Sequence, residues 1–130
     1  MISTVRALVL TLACAGLAGC MDQGIGCKKV AGSFCLEQWE DGQTYYLLDG
    51  RGDNRPGGAI GGVVRTIAWG PDLILVDRKP LFGGAPEGWM VIDVRSHRAR
   101  GPIPDAEATA TVEQHALRST TAAEAWQWLR

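Results

Sequence analysis

Glycine and proline divide this chain into short apolar segments, and this division constrains the fold more than any other feature of the sequence. The 130 residues include 17 Gly and 6 Pro, many of which lie between segments rich in aliphatic and aromatic residues. Short apolar segments bounded by turn residues favour β-strands joined by tight connections. The segments that we predict to be strands are 34–39, 43–48, 60–68, 73–77 and 89–95.

The connections between these segments indicate how the strands are arranged. Residues 49–58 and 79–88 are rich in glycine and proline and are predicted to be loops, and residues 98–104 form a basic, proline-containing exit from the last strand. Asp77 and Asp93 each close a predicted strand, where aspartate commonly begins a turn. Because no helical pattern separates the strands, we expect them to form one antiparallel meander.

The C-terminal part of the chain has a different pattern. Residues 105–117 are rich in alanine and glutamate, which favours a helix, although the β-branched residues among them weaken it. Thr121 and Glu124 have the spacing of a capping box, which predicts a short helix from Ala122. The sequence therefore predicts a mainly β (α+β) domain: a small antiparallel β-meander sheet of about five strands with a short C-terminal helix.

The first nineteen residues have the composition of a secretory signal. Arg6 is their only charged residue, and it is followed by the apolar stretch 7–17. A positive start, an apolar stretch of this length and small residues before a break are typical of a signal peptide. The stretch is shorter than the roughly 20 apolar residues that a membrane-spanning helix needs.

The residues at the end of this segment, Leu17-Ala18-Gly19-Cys20, resemble the lipobox of bacterial lipoproteins. The resemblance implies that signal peptidase II cuts before Cys20 and that Cys20 carries a covalent lipid, with no other cofactor. An ordinary secreted protein is the alternative. Residue 21 is Met, not the Asp of inner-membrane retention, which favours an outer-membrane protein facing the periplasm; in a Gram-positive host the address becomes the outer face of the cytoplasmic membrane.

The expected organisation is a signal peptide over residues 1–19, a lipidated tether over 20–26 and a single domain over 27–130. Cys14 is lost with the signal and Cys20 carries lipid, so Cys27 and Cys35 remain. Two cysteines in an oxidising compartment predict a disulfide, with a metal pair as the rival interpretation. No metal site is expected, because the spacing is not that of known metal motifs and both histidines lie far away in the sequence.

Charge and motifs narrow the function classes. Loss of Arg6 leaves twelve basic and fourteen acidic residues, a formal charge of −2, which does not favour nucleic acid as a partner. Neither His97 nor His115 lies in a recognised catalytic pattern, and no serine has a flanking nucleophile motif. We therefore interpret the acidic residues Asp49, Asp53, Asp77, Glu87 and Asp93 as turn and surface residues and predict no catalytic residue.

Two groups of residues are candidate contacts with a partner. Arg95, Arg98 and Arg100 form a basic cluster around His97, for which a solvated loop is the competing interpretation. Trp126 and Trp128 lie on opposite sides of the predicted C-terminal helix, so one of them is expected to be exposed. Exposed tryptophan and arginine are typical interface anchors, whereas core packing is the alternative role for these tryptophans.

The sequence thus resembles that of a small bacterial lipoprotein, attached to a membrane through its lipid. We expect a non-enzymatic module that binds a periplasmic protein, such as an inhibitor, an immunity protein or an accessory subunit of an envelope machine. The alternatives are a hydrolase of cell-wall or lipid components and a structural envelope lipoprotein. The sequence gives no indication of the oligomeric state.

Overall fold

The computed structural model describes residues 26–52 and 55–130, so the predicted signal peptide, Cys20 and most of the predicted tether lie outside the described residues. The described part contains eight strands and two α-helices. The strands are β1 (Cys27–Ala31), β2 (Phe34–Gln38), β3 (Tyr45–Asp49), β4 (Gly62–Trp69), β5 (Leu73–Pro80), β6 (Gly88–Asp93), β7 (Ala99–Ile103) and β8 (Arg118–Thr121), and the helices are α1 (Asp105–Gln114) and α2 (Ala122–Trp128).

The strands form two antiparallel sheets. The smaller sheet has the order β1-β2-β3 and the larger one has the order β7-β6-β5-β4-β8. Both are meanders, except that β8 follows α1 in the chain and pairs with β4 at the edge of the larger sheet. The predicted class is confirmed: a mainly β, antiparallel structure with a short C-terminal helix. The five predicted strands correspond to β2 through β6.

The three strands that the sequence did not predict are β1, β7 and β8, all of which lie at sheet edges. β1 contains two lysines, β7 contains Gly101 and Pro102, and β8 consists of the polar residues RSTT. Proline and charged residues are tolerated at edges because one side of an edge strand has no ladder to complete. These strands therefore lack the apolar alternation on which the prediction depended, and the predicted exit over 98–104 is in fact mostly β7.

The main core lies between the two sheets. In the smaller sheet, Phe34, Leu36, Tyr45 and Leu47 are buried, whereas the residues between them face outward. This alternation has the period of two that a strand with one covered face requires. The inward side chains pack against residues of β4, β5 and β6 and against the two buried alanines of α2.

The larger sheet is covered on both faces. Leu75 and Val91 belong to a second apolar cluster that includes Ala108 of α1, while Ile74 and Val76 face the main core. A strand that is buried on both faces can be apolar at successive positions. This explains the almost uninterrupted apolar start of β5. The strand continues to Pro80, so Asp77 lies within it, and the expectation that Asp77 closes a strand was wrong.

The C-terminal helix begins as the sequence predicts. The Thr121 hydroxyl accepts a hydrogen bond from the Glu124 backbone N–H over 3.2 Å. In a full capping box the Glu124 carboxylate would accept from the Thr121 backbone N–H. Here it accepts a hydrogen bond from the Thr120 hydroxyl instead. α1 also forms, but it ends at Gln114. Within the described ranges, no helix is long and apolar enough to cross a membrane.

The predicted disulfide is confirmed. Cys27 and Cys35 are bonded across β1 and β2, with their Cα atoms 5.5 Å apart. Gly32, in the turn between these strands, has a positive φ of 55°, and a Cβ there would lie 2.6 Å from Val94 Cγ1. Because only glycine avoids both the strain and the contact, it allows the smaller sheet to approach the end of β6 closely.

Candidate functional site

The predicted basic cluster lies in the turn that joins β6 to β7. The Asp93 side chain accepts hydrogen bonds from the backbone N–H groups of Arg95 and Ser96, at 3.0 and 2.8 Å. The hydrogen bond from Ser96 is the largest of the effects that lower the pKa of Asp93. His97 completes the turn with a positive φ of 62°. Hydrogen bonds from its own backbone to the Asp93 side chain thus hold the turn in place, and its arginine side chains are exposed to solvent.

A groove of about 640 Å³ lies between this turn and the C-terminal end of α1. Its charged and imidazole side chains are Arg98, Arg100, His115 and Asp93, and we call it the basic groove. Ser96, Thr111 and Gln114 add further hydrogen-bonding groups, and the apolar lining comes from Leu73, Val91 and Ala99. A concave site with an apolar lining and a few convergent polar groups has the general form of a ligand or peptide site.

The arginines of the basic groove are weakly engaged within the protein. Arg98 has no carboxylate partner among the described residues, and Arg100 lies 3.8 Å from Glu107 in an exposed pair. Exposed pairs of this kind contribute about 0–1 kcal/mol, so such an arginine can exchange its partner at little cost. The only acid in the lining, Asp93, already accepts two backbone hydrogen bonds. The groove therefore presents available cationic donors.

Arg95, the third predicted basic contact, pairs with Asp72, which is not part of the groove lining. Its guanidinium lies 3.4 Å from Asp72, and both side chains are largely exposed, at 85% and 67%. An ion pair in this environment is screened by water and salt, so it does little to hold either side chain in one position. Arg95 therefore extends the basic surface of the turn but does not line the groove.

A polar cluster connects the same turn to the smaller sheet. His97 Nδ1 lies 2.8 Å from Asp49 Oδ2, and the Ser33 hydroxyl donates to Asp49 Oδ1 over 2.7 Å. Asp49 ends β3, whereas Ser33 and His97 lie in the β1–β2 and β6–β7 turns, and all three residues are half-buried. No local sequence pattern indicates that they meet, because Asp49 lies 16 residues from Ser33 and 48 from His97.

These three residue types also make up hydrolytic triads, but their order here is different. In a triad the serine hydroxyl bonds to one imidazole nitrogen while the carboxylate bonds to the other. Here Ser33 Oγ is 3.5 Å from Nδ1, the nitrogen that already contacts Asp49, and its proton is directed to the carboxylate. The geometry does not activate Ser33 as a nucleophile and instead joins the two sheets.

The charge of Asp49 is stabilised by these contacts. Burial alone would raise the pKa of Asp49, but hydrogen bonds from Ser33, the Arg51 backbone and His97 outweigh burial and lower it. A carboxylate that accepts several hydrogen bonds favours its ionised form. The cluster thus consists of an ionised Asp49 carboxylate that Ser33 and His97 contact from the two sheets.

Of the two predicted aromatic contacts, Trp128 lies at the opposite edge of the larger sheet, whereas Trp126 packs against Tyr45 and Lys28 of the smaller sheet. Trp128 is 44% exposed, whereas Trp126 is half-buried, which confirms that one of the two is exposed. The Arg118 guanidinium lies 4.8 Å from the ring centre of Trp128 and 5.6 Å from that of Trp69. Since β8 and β7 are the two outer strands of the sheet, this group is about 19 Å from the β7 edge, at four strand spacings. The predicted contact residues therefore form two separate surfaces.

A third surface, which sequence analysis missed, lies on the outer face of the smaller sheet. Trp39 is 51% exposed and packs edge to face against Tyr46, with ring centres 6.0 Å apart. A shallow groove of about 300 Å³ lies beside them, lined by Glu37, Leu48 and residues 55–58. The alternation of β2 and β3 could have indicated that Tyr46 faces outward, but the exposure of Trp39 follows from its position just beyond β2.

No set of three or more His, Cys, Asp or Glu side chains within the described ranges is arranged to hold a metal ion. Comparison with known proteins returns no match: no family model, no curated protein and no solved structure is significantly similar to this chain.

Proposed function

We propose that this chain is a lipid-anchored envelope protein that acts as a non-enzymatic binding module for an acidic protein partner. The anchor is the lipid that the lipobox-like sequence ending at Cys20 implies, and the address is the periplasmic face of the outer membrane in a Gram-negative host. The observation that carries the binding role is the basic groove, with Arg98, Arg100 and His115 around about 640 Å³.

The chemistry of the basic groove favours a carboxylate-bearing segment of a protein. Arginine presents a planar set of donors that matches a carboxylate with two parallel hydrogen bonds. Ser96, Thr111 and Gln114 supply neutral donors and acceptors beside it, and Leu73 and Val91 supply apolar contact. A segment with an acidic residue next to an aliphatic one fits this combination. An inhibitor, an immunity protein and an accessory subunit would all use such a site.

The experiment compares partners recovered from envelope extracts by the lipidated protein and by variants of it. Arg98→Ala combined with Arg100→Ala should reduce recovery of the partner about tenfold or more, since a desolvated arginine at an interface commonly contributes over 1 kcal/mol. Raising the salt concentration should weaken the unmodified complex, because the contact is largely electrostatic.

The matched control is Lys29→Ala combined with Lys79→Ala. It removes the same charge from exposed positions that do not line the basic groove. Equal recovery of the partner by both double variants would place the contact elsewhere on the molecule. Absence of any stoichiometric partner, together with turnover of muropeptides by the purified protein, would favour the hydrolase instead.

A further inference from the structure

The point at which the chain joins the domain is defined by two contacts of Gly26. Its carbonyl accepts a hydrogen bond from the Gln38 backbone N–H over 3.0 Å, which extends the pairing of β1 with β2. A Cβ built on Gly26 would lie 3.9 Å from the outer ring edge of Trp126. The chain therefore joins the domain between the end of β2 and helix α2.

The most exposed indole of the described chain lies beside this point. Trp39 directly follows Gln38, and its backbone N–H donates to the Thr44 carbonyl over 2.8 Å, which closes the β2–β3 hairpin. Trp39 is 51% exposed, and Tyr46 supports one edge of its ring. Trp39 and Tyr46 together form what we call the tether-side aromatic patch. The backbone of Trp39 is hydrogen-bonded in the hairpin, whereas its indole ring is exposed to solvent.

The length of chain between this patch and the predicted lipid limits their separation. Six residue steps separate Cys20 from Gly26, and a fully extended chain covers at most about 3.6 Å per residue, or about 22 Å in all. The polar cluster and the basic groove lie toward the other ends of β1 to β3. Strands of five residues are about 17 Å long, so this end lies farther from the tether.

We propose that the tether-side aromatic patch rests on the bilayer that holds the lipid of Cys20, with Trp39 at the level of the headgroups. This inference rests on the lipid anchor of the proposed function and adds an orientation to it. Tryptophan and tyrosine favour the membrane interface because an apolar ring is combined with a polar N–H or O–H group. One indole alone would bind weakly, but the tether supplies a high effective concentration at the surface.

The charges around the patch indicate which headgroups it contacts. Glu40 and Asp41 are exposed in the hairpin turn next to Trp39. Glu37 and Arg55 line the groove beside Trp39 and Tyr46, and Lys28 donates to the Trp126 carbonyl over 2.8 Å. The three acidic side chains outweigh the single arginine beside the patch, so the surrounding charge repels anionic headgroups, and Lys28 is already engaged with Trp126. The patch therefore fits a zwitterionic lipid surface, and this orientation turns the basic groove away from the membrane.

The experiment uses the full lipidated protein reconstituted in phosphatidylcholine liposomes that contain brominated acyl chains. Bromine quenches only those indoles that reach the bilayer, so the quenched fraction of tryptophan fluorescence reports contact. Trp39→Phe should reduce the quenched fraction about twofold or more, since Trp39 is one of only two exposed indoles among the described residues. Trp128→Phe is the matched control, with similar exposure on the far side of α2, and should change it much less. Replacing part of the phosphatidylcholine with phosphatidylglycerol should lower the quenching of the unmodified protein.

Flotation of the liposomes separates failure of this inference from failure of the anchor. Protein that floats with the liposomes and loses quenching only in Trp39→Phe supports the docked orientation. Protein that floats but shows no quenching, or loses it equally in both variants, overturns the orientation and leaves the anchor intact. Protein that does not float overturns the anchor, and the docked orientation with it.

Discussion

At the scale of single residues, Asp49 joins parts of the molecule that are distant in the sequence. It lies 48 residues from His97 and 16 from Ser33, and it contacts both side chains. It also accepts from the Arg51 backbone N–H over 3.2 Å. One ionised carboxylate thus connects the end of β3, the β1–β2 turn and the β6–β7 turn, and its charge state should affect how firmly the two sheets are held together.

The lowered pKa of Asp49 predicts a pH dependence of stability. Because the folded-state pKa is below the unfolded value of about 3.9, the stabilisation is complete above that pH and is lost as pH falls through the folded-state pKa. Asp49→Asn should lower the free energy of unfolding at neutral pH by about 1–2 kcal/mol. It should also flatten the decline in stability below about pH 4. Urea unfolding followed by tryptophan fluorescence at several pH values measures both effects.

Asp72→Asn is the control for this experiment. Asp72 is an exposed acid whose ion-pair partner among the described residues is the exposed Arg95, so the Asp72→Asn change should alter the free energy of unfolding by less than about 0.5 kcal/mol. If the free energy of unfolding of Asp49→Asn and Asp72→Asn declined equally at low pH, the connection between the sheets through Asp49 would not contribute to stability.

At the scale of elements, the stability of α2 depends on the residues at its start more than on the length of the helix. It has only seven residues, and helices this short are not stable alone in water. Burial of Ala122 and Ala125 against the main core supplies part of the stabilisation, and the Thr121 hydroxyl satisfies one of the free N–H groups at the helix start. Because α2 carries Trp126 next to Gly26, this cap also helps to position Trp126 against the start of β1.

Thr121→Ala should therefore lower the free energy of unfolding by about 1 kcal/mol, the usual effect of losing an N-cap oxygen. Thr111→Ala makes the same substitution within α1, where the hydroxyl donates back to the Glu107 carbonyl. That change should be neutral or slightly stabilising because alanine is the better helix former. Thermal unfolding of the two variants, compared with the unmodified protein, measures the difference. Equal losses from both would argue against a capping role for Thr121.

At the scale of the whole molecule, the point where the chain enters the described domain and the polar candidate surfaces lie at opposite ends of the smaller sheet. The chain joins the domain beside Trp39 and α2, whereas the β6–β7 turn, with the polar cluster and the basic groove, occupies the other end of the smaller sheet. The disulfide between Cys27 and Cys35 fixes β1 to β2 near the point of attachment. A lipid on Cys20 would therefore attach the protein to the membrane next to a disulfide-linked hairpin. In that orientation the basic groove would face away from the bilayer.

Cys20→Ala should release the protein from membrane fractions into the soluble periplasmic fraction, since no thiol would remain at that position to receive lipid. Fractionation followed by immunodetection measures the distribution, and Cys27→Ala combined with Cys35→Ala is the control. That variant loses the disulfide but keeps the anchor, so it should stay with the membrane. Retention of Cys20→Ala in the membrane fraction would show that another feature anchors the protein.

Much of this protein follows from local sequence patterns. The strands β2 to β6, the Thr121 cap and the exposure of one of the two tryptophans of α2 were predicted because each depends on residues close together in the chain. The bond between Cys27 and Cys35 was predicted because their separation is short and the compartment is expected to be oxidising. Periodicity and capping are encoded within a few residues, so they can be recognised without knowledge of the rest of the fold.

Only the tertiary structure decided the remaining features. The edge strands β1, β7 and β8 have weak patterns of their own and form because a neighbouring strand offers its ladder. The contact between His97 and Asp49 spans 48 residues, and the basic groove combines the β6–β7 turn with the end of α1. Contacts of this kind depend on how sheets and helices pack, which local propensity does not encode. The sequence by itself therefore determined β2 to β6 and the start of α2, and it predicts the anchor, whereas packing decided the edge strands and which side chains meet.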